Sequence, residues 1–344
     1  MTLPDRIDSE ATLEDALARP SDRDLEFAQR LDGDVLIVGA GGKMGPSLAR
    51  RIRRALQHAS NRNRIIAASR FSSSSARADL DRDGIETLAC DLLDPAQIAA
   101  LPRCPNVLFL AGRKFGTLDR TDLTWVTNTV VPARVAEHFS SSRLVVFSTG
   151  NVYPLVPATS LGSREDDVPM PVGEYAQSCL GRERVVEYVS HEHRTPALIY
   201  RLNYAVDLRY GTLVDIARKV FSSEPVDLTV GFFNAIWQGD ANSYAFRGLS
   251  LCSSPPTILN VTGSERIAVR ETAEWFGRTF GRQPRFLNTE GPVALLSDSR
   301  RCRSLLGEPE VSLEKLRYWV AEWVSAGGAS LNKPTHFEVT DGRF

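Results

Sequence analysis

The 344-residue chain has little lysine, few cysteines and no long apolar run. Only five of its 41 Lys and Arg residues are Lys, at 43, 114, 219, 315 and 333, so arginine carries most of the positive charge. These cations nearly cancel 42 carboxylates, leaving a formal net charge of −1. Such a balance excludes the basic field of a nucleic-acid binder. The five cysteines, at 90, 104, 179, 252 and 302, form no C-x-x-C pair. That scatter argues against a zinc site or a disulfide framework and fits a reducing cytoplasm. No apolar stretch approaches 18 residues, and the acidic N-terminus lacks a signal-peptide core. The expectation is a cytoplasmic protein with no metal, no nucleic-acid partner and no membrane span. Hydrophobic residues at 42% and charged residues at 24% are ordinary for a folded domain. The length suits one large domain or two small ones.

Val35-Leu36-Ile37-Val38 is a continuous apolar run, the pattern of a strand buried on both faces. Alternation follows. Helices are predicted over Ser47–Ala59, Ala96–Leu101, Leu123–Phe139 and Glu174–Glu192. Strands are predicted over Ile65–Ala68, Ile85–Ala89, Val107–Leu110, Leu144–Ser148 and Ala197–Leu202. Strand alternating with helix implies an α/β fold, a doubly wound parallel sheet of Rossmann type with helices on both faces. Residues 1–33, with Pro20 between two short helices, read as an extension packed on the main domain. Residues 34–205 read as the dinucleotide-binding domain. Beyond them Pro225, Pro255, Pro256, Pro284 and Pro292 punctuate shorter elements, and Glu271–Phe280 and Leu313–Val324 are amphipathic helices. Residues 206–330 therefore read as a smaller, mixed substrate lobe, with 331–344 as a tail. The Ser72–Ser75 run reads as a loop.

The first strand runs directly into Gly39-Ala40-Gly41-Gly42-Lys43-Met44-Gly45, which opens a helix. In Gly39-x-x-Gly42-x-x-Gly45, one glycine permits the tight turn, one lets backbone approach a pyrophosphate, and one lets helix pack on strand. The helix N-terminus adds N–H donors and the positive end of its dipole. Strand before and helix after make this a dinucleotide site. The second strand ends at Ser69-Arg70 instead of the acid that bonds the ribose 2′-hydroxyl in NAD sites. Serine and arginine would bind a 2′-phosphate, which favours NADP, with NAD possible. Lys43 is either a second phosphate cation or a surface lysine. Asp91, with Leu92 beside it, suits the adenine amino group.

These residues, with Ala111-Gly112, Asn128, the run Phe147-Ser148-Thr149-Gly150-Asn151-Val152-Tyr153 and Tyr175 heading a helix, resemble an extended short-chain dehydrogenase/reductase of the NAD-dependent epimerase/dehydratase type. The resemblance spans about residues 34–325 and includes Thr262-Gly263-Ser264-Glu265 and Val269-Arg270-Glu271. It implies that Thr149 bonds the reacting oxygen, with Ser148 as a possible substitute, and that Tyr175 exchanges a proton with the substrate hydroxyl. It implies cofactor contacts from Gly39, Gly41, Gly42, Lys43, Met44, Gly45, Ser69, Arg70, Asp91, Leu92, Ala111, Gly112, Asn128 and Tyr175. It also implies a homodimer, paired through Leu123–Phe139 and Glu174–Glu192.

Two departures stand out. The family pairs its tyrosine with Lys in Tyr-x-x-x-Lys, on one helix face. Here the fourth position after Tyr175 is Cys179. A neutral thiol supplies no positive field. A tyrosine with a pKa near 10 is about 0.1% phenolate at pH 7, a loss of roughly 10³ in active base or about 4 kcal/mol. Either a cation comes from elsewhere, with Arg113 and Lys114 the best placed and Arg182 two turns along the helix, or Tyr175 only donates, or the chain is a dinucleotide sensor. The second departure lies in the substrate lobe. Asn203 sits one residue from its place in nucleotide-sugar members, and Phe233 stands where those members carry Arg. A diphosphate needs cations or several donors. A sugar, sugar acid or lactone is therefore expected, with Arg113, Lys114, Asn151, Asn203, Trp237 and Gln238, and also Asn242, as candidate substrate contacts. The leading reading is an NAD(P)-dependent oxidoreductase or epimerase/dehydratase acting on a hydroxyl. The alternative is a catalytically weak NADP(H)-binding regulatory or scaffold protein.

Overall fold

A computed structural model describes residues 2–71, 74–114, 116, 119–333 and 335–342. Seven strands form its central sheet: β1 (Val35–Val38), β2 (Ile65–Ser69), β3 (Glu86–Ala89), β4 (Asn106–Phe109), β5 (Arg143–Thr149), β6 (Ala197–Leu202) and β7 (Thr257–Val261). Their order is β7-β6-β5-β4-β1-β2-β3, and every pairing is parallel. The winding reverses between β1 and β4, which leaves a crevice at the carboxyl ends of those strands. Alternation within β1 divides the core. Val35 and Ile37 face Leu48 and Ile52 on one side, whereas Leu36 and Val38 face Val107, Phe109 and Val135 on the other.

The helices are α1 (Glu10–Ala18), α2 (Asp22–Arg30), α3 (Gly45–His58), α4 (Ser74–Arg82), α5 (Pro95–Ala99), α6 (Thr121–Trp125), α7 (Val131–His138), α8 (Gly173–His193), α9 (Thr212–Phe221), α10 (Gln238–Arg247), α11 (Val269–Phe280), α12 (Arg300–Leu306) and α13 (Leu313–Ser325). Between residues 34 and 202 the four expected helices fall within a few residues of expectation, whereas α4 was not expected. The helix expected over Leu123–Phe139 is interrupted by a π-helical turn, Val126–Val130. Pro132 explains it, because a residue without an N–H cannot bond the carbonyl four residues back. That carbonyl belongs to Asn128, and Arg182 Nε donates to it instead at 3.4 Å. Ser72 and Ser73 of the expected loop lie outside the described residues, while Ser74 and Ser75 begin α4.

The expected division near residue 205 is crossed twice. β7 returns to the main sheet beside β6. From α10, the Gln238 and Asn242 amides both donate to Ser47 Oγ of α3. The extension also bridges the molecule. Leu13 and Leu17 of α1 enter the core of the C-terminal lobe, whereas Phe27 of α2 packs edge-on against Phe246 in the sheet core. No described helix is long and apolar enough to cross a membrane.

Candidate active site and cofactor cleft

The chain turns sharply after β1. Gly39 has φ of +86°, and a Cβ there would lie 2.6 Å from the Ala111 backbone nitrogen. Gly45 opens α3, and a Cβ there would run into the Ala40 carbonyl. Side chains are excluded at both points, so the loop lies close on β4 and the N-terminus of α3 is left open. Beside it runs a cleft of about 460 Å³ whose lining includes Gly41, Gly42, Ser69, Arg70, Asp91 and Leu92. Bare backbone, a helix N-terminus and an arginine at the end of β2 fit a dinucleotide. Asp91 Oδ1 accepts from Leu93 N at 3.0 Å, which fixes its carboxylate at this edge.

Lys43 does not face this cleft. Its ammonium donates to the Ala205 carbonyl at 3.1 Å and lies 4.3 Å from the centroid of the Tyr210 ring. Lys43 is thus neither directed into that cleft as a second phosphate cation nor a free surface lysine. Met44 also lines the adjoining cavity rather than the Ser69–Arg70 cleft.

That second cavity, of about 250 Å³, meets the first at Leu110, Gly112 and Lys114. The end of β5 and the start of α8 bring Thr149 and Tyr175 together there, with their side chains hydrogen-bonded. Thr149 Oγ1 also donates to Asn151 Oδ1 at 2.9 Å. Ser148 is held differently. Its hydroxyl donates to Glu183 Oε1 at 2.5 Å, and Glu183 pairs with Arg201 at 2.6 Å, both buried. Ser148 is thus anchored under the site, and Thr149 offers the hydroxyl. Burial pushes the Tyr175 phenol well above its ordinary range, and Cys179 adds to that, against the pull of Arg182 and Thr149.

Three cations were candidates to replace the missing lysine. Arg113 folds back, with Nη2 donating to the Gly116 carbonyl at 2.9 Å. Arg182 donates to the Phe147 carbonyl at 2.6 Å and to Asn128 Oδ1 at 2.8 Å. Lys114 lines both cavities, and its charge acts on the Cys179 thiol. Asn128 is fully buried. Its oxygen accepts from Arg113 N at 2.9 Å, and its Nδ2 donates to the Arg113 carbonyl and the Ser178 hydroxyl. It therefore holds the loop after β4 in place, and with it Ala111, Gly112 and Lys114.

Asn151 and Asn203 line the catalytic cavity. Trp237, Gln238 and Asn242 do not. Trp237 packs against Trp319 with ring centroids 5.3 Å apart, in the core of the C-terminal lobe. The Gln238 and Asn242 amides serve helix packing, as described above. Tyr204, Tyr210 and Thr335 line the cavity without having been singled out. Thr335 comes from the tail, and no local pattern marks it. Tyr204, next to Asn203, has φ of +47°, a conformation the sequence does not announce. Among the described residues no cluster of His, Cys, Asp and Glu could hold a metal ion.

A family model described as the NAD dependent epimerase/dehydratase family matches residues 35–206, half of the chain. No curated protein matches the sequence. Solved structures share the fold. A UDP-Glc/GlcNAc 4-epimerase from Campylobacter jejuni is 20% identical, covers 85% of this chain and 98% of its own, and superposes with a TM-score of 0.69. A UDP-glucuronic acid 4-epimerase from Bacillus cereus, in complex with NAD, is 16% identical, with coverage of 85% and 98% and a TM-score of 0.67. MoeE5, in complex with UDP-glucose and NAD, is 19% identical, with coverage of 86% and 99% and a TM-score of 0.68.

Proposed function

The chain belongs to the NAD dependent epimerase/dehydratase family, and on that footing we propose that it is an NAD(P)-dependent enzyme that oxidises, reduces or epimerises a hydroxyl-bearing carbon of a small carbohydrate-like substrate. The carrying observation is the hydrogen-bonded pair of Thr149 and Tyr175 in a cavity that opens onto the glycine-loop cleft. The glycine loop, Ser69, Arg70 and Asp91 would hold the dinucleotide, and when bound it gives or takes the hydride. Thr149 bonds the substrate oxygen. Tyr175 carries its proton, and Lys114, whose charge acts on Cys179, joins Arg182, whose charge acts on the phenol, in supplying the positive field that Cys179 lacks. Ser69 and Arg70 favour NADP over NAD. The enzyme works as a homodimer through α6, the π-helical turn, α7 and α8, which leave Trp125, Val126, Val130 and Tyr188 exposed.

A small substrate is supported by the tail. Thr335 lines the cavity, and Phe337 packs near Phe233 with centroids 6.0 Å apart. The nucleotide sugars named for the neighbours give the second reading, and a catalytically weak regulator is the third. The raised pKa of Tyr175 favours the third unless Lys114 acts on the phenol.

A panel of sugars, aldonates, lactones and UDP-sugars, run with both cofactors and followed at the reduced-nicotinamide absorbance, separates these readings. With a substrate identified, Tyr175→Phe should lower turnover by at least about 10²-fold. Lys114→Ala should lower it too, and adding Cys179→Lys should restore part of the loss. Full activity in Tyr175→Phe rejects the proton-shuttle role. An unchanged rate in Lys114→Ala rejects the relocated cation.

A further inference from the structure

Only five lysines occur in this chain, yet two of them line the catalytic cavity. Lys43 comes from the glycine loop and Lys114 from the loop after β4. Burial pushes both ammonium groups down to about 8, and the charge of Lys114 adds to the lowering at Lys43. Lys43 faces a carbonyl and an aromatic ring, and no described carboxylate forms an ion pair with it. The charged groups around Lys43 are Asp207, Lys114 and Arg209, and those around Lys114 include Cys179 and Asp215. Both aspartates are engaged elsewhere. Asp207 accepts from the Arg209 backbone at 2.7 Å and from its guanidinium at 2.8 Å. Asp215 accepts from Thr335 N at 2.8 Å and Thr335 Oγ1 at 2.6 Å.

No Asp or Glu is among the described residues that line the cavity. One of its walls holds Asn203, 2% exposed, whose Nδ2 is a buried donor without a hydrogen-bond partner. Leaving such a donor unsatisfied costs about 1–3 kcal/mol. A cavity lined by two lysines and Arg182, with a buried and unsatisfied amide donor among its lining residues and no carboxylate among those described, is complementary to an anion.

We infer that the substrate carries a carboxylate, seated between the ammonium groups of Lys43 and Lys114 and accepting from the Asn203 amide. The inference rests on the reading that a hydroxyl of a small carbohydrate-like substrate meets Thr149 and Tyr175, and it narrows that class to polyhydroxy acids, aldonates or uronates. A carboxylate raises the proton affinity of both lysines, so binding takes up protons most strongly between about pH 8 and pH 9.

The test is calorimetry on the cofactor-loaded protein. Four- to six-carbon aldonates and uronates are titrated beside their neutral sugars and lactones, in buffers of different ionisation enthalpy. At least one acid should bind with proton uptake at pH 8.5, at least about 10-fold tighter than its neutral analogue. Lys43→Met should weaken that acid by about 10- to 100-fold, with cofactor affinity and melting temperature unchanged. Lys43→Arg should retain binding but reduce the proton uptake, because arginine does not deprotonate. If no acid binds, or acid and neutral analogue bind alike, the inference fails. It fails also if Lys43→Met costs cofactor affinity instead, since the charge would then serve the cofactor diphosphate. Turnover of neutral sugars alone sinks this inference and leaves the enzyme standing. Tight acid binding without turnover does the reverse.

Discussion

Arg70 is exposed at the end of β2, where the carboxylate of an NAD site would repel a 2′-phosphate. Its partner Ser69 sits so close to the loop that a Cβ on Gly41 would lie 2.6 Å from its hydroxyl. A charged guanidinium on a phosphate contributes about 1.5–3 kcal/mol. NADP(H) should therefore bind at least about 10-fold tighter than NAD(H). The double change Ser69→Asp with Arg70→Ala should reverse that order. Titration of both cofactors checks it, and equal affinities in the parent protein would reject the assignment. The glycine loop was legible because its residues are specified by backbone sterics. The direction of Lys43 was not, because Ala205 and Tyr210 lie about 160 residues away in sequence.

Among the elements, α2 and α10 clamp α3. Asp24 of α2 is fully buried and pairs with Arg51 of α3 at 2.6 Å, while its other oxygen accepts from Ser243 Oγ of α10 at 2.6 Å. Burial would raise its carboxyl, but Arg51, Ser243, Ser21 N and Arg247 more than offset that, so it lies below the ordinary range. Asp24→Asn leaves buried arginines without their counter-charge and should cost about 3–5 kcal/mol. A lowered folded pKa means that the stabilisation is complete above the ordinary carboxylate pKa and fades as pH falls through the folded value. Urea denaturation of both proteins at neutral pH and in acid tests this, and the gap between them should narrow in acid. An equal gap at both pH values would show that the loss is packing, not charge. The two N-terminal helices were visible from their apolar spacing and Pro20. β7 was missed because Asn260 breaks its apolar run, although that side chain is fully buried and accepts from Tyr153 OH at 2.9 Å.

In the whole molecule, α6, the π-helical turn, α7 and α8 pack together and still expose Trp125, Val126, Val130 and Tyr188, the last by 63%. Exposed aromatic and aliphatic side chains on adjoining helices favour a closed two-fold pair. Light scattering should report a dimer at micromolar concentration, and Val130→Arg with Tyr188→Arg should convert it to a well-folded monomer. A monomeric parent protein would refute the pairing.

The amino-acid sequence by itself determined the alternation of buried strands with helices, the obligatory glycines after β1, and the positions of Thr149 and Tyr175 on their elements. Each follows from local sterics or from periodicity within about 20 residues. Only the tertiary structure decided what surrounds those elements. Packing of the C-terminal lobe made Trp237, Gln238 and Asn242 core residues, turned Lys43 into the cavity, and brought Thr335 from the tail to its wall. It also directed Arg113 and Arg182 to backbone carbonyls and left Lys114 beside Cys179. Apart from the local turn of Arg113 onto Gly116, such contacts join residues about 35 to 195 positions apart, and their outcome depends on which buried donor finds which acceptor once the lobes close, a competition that no local pattern encodes.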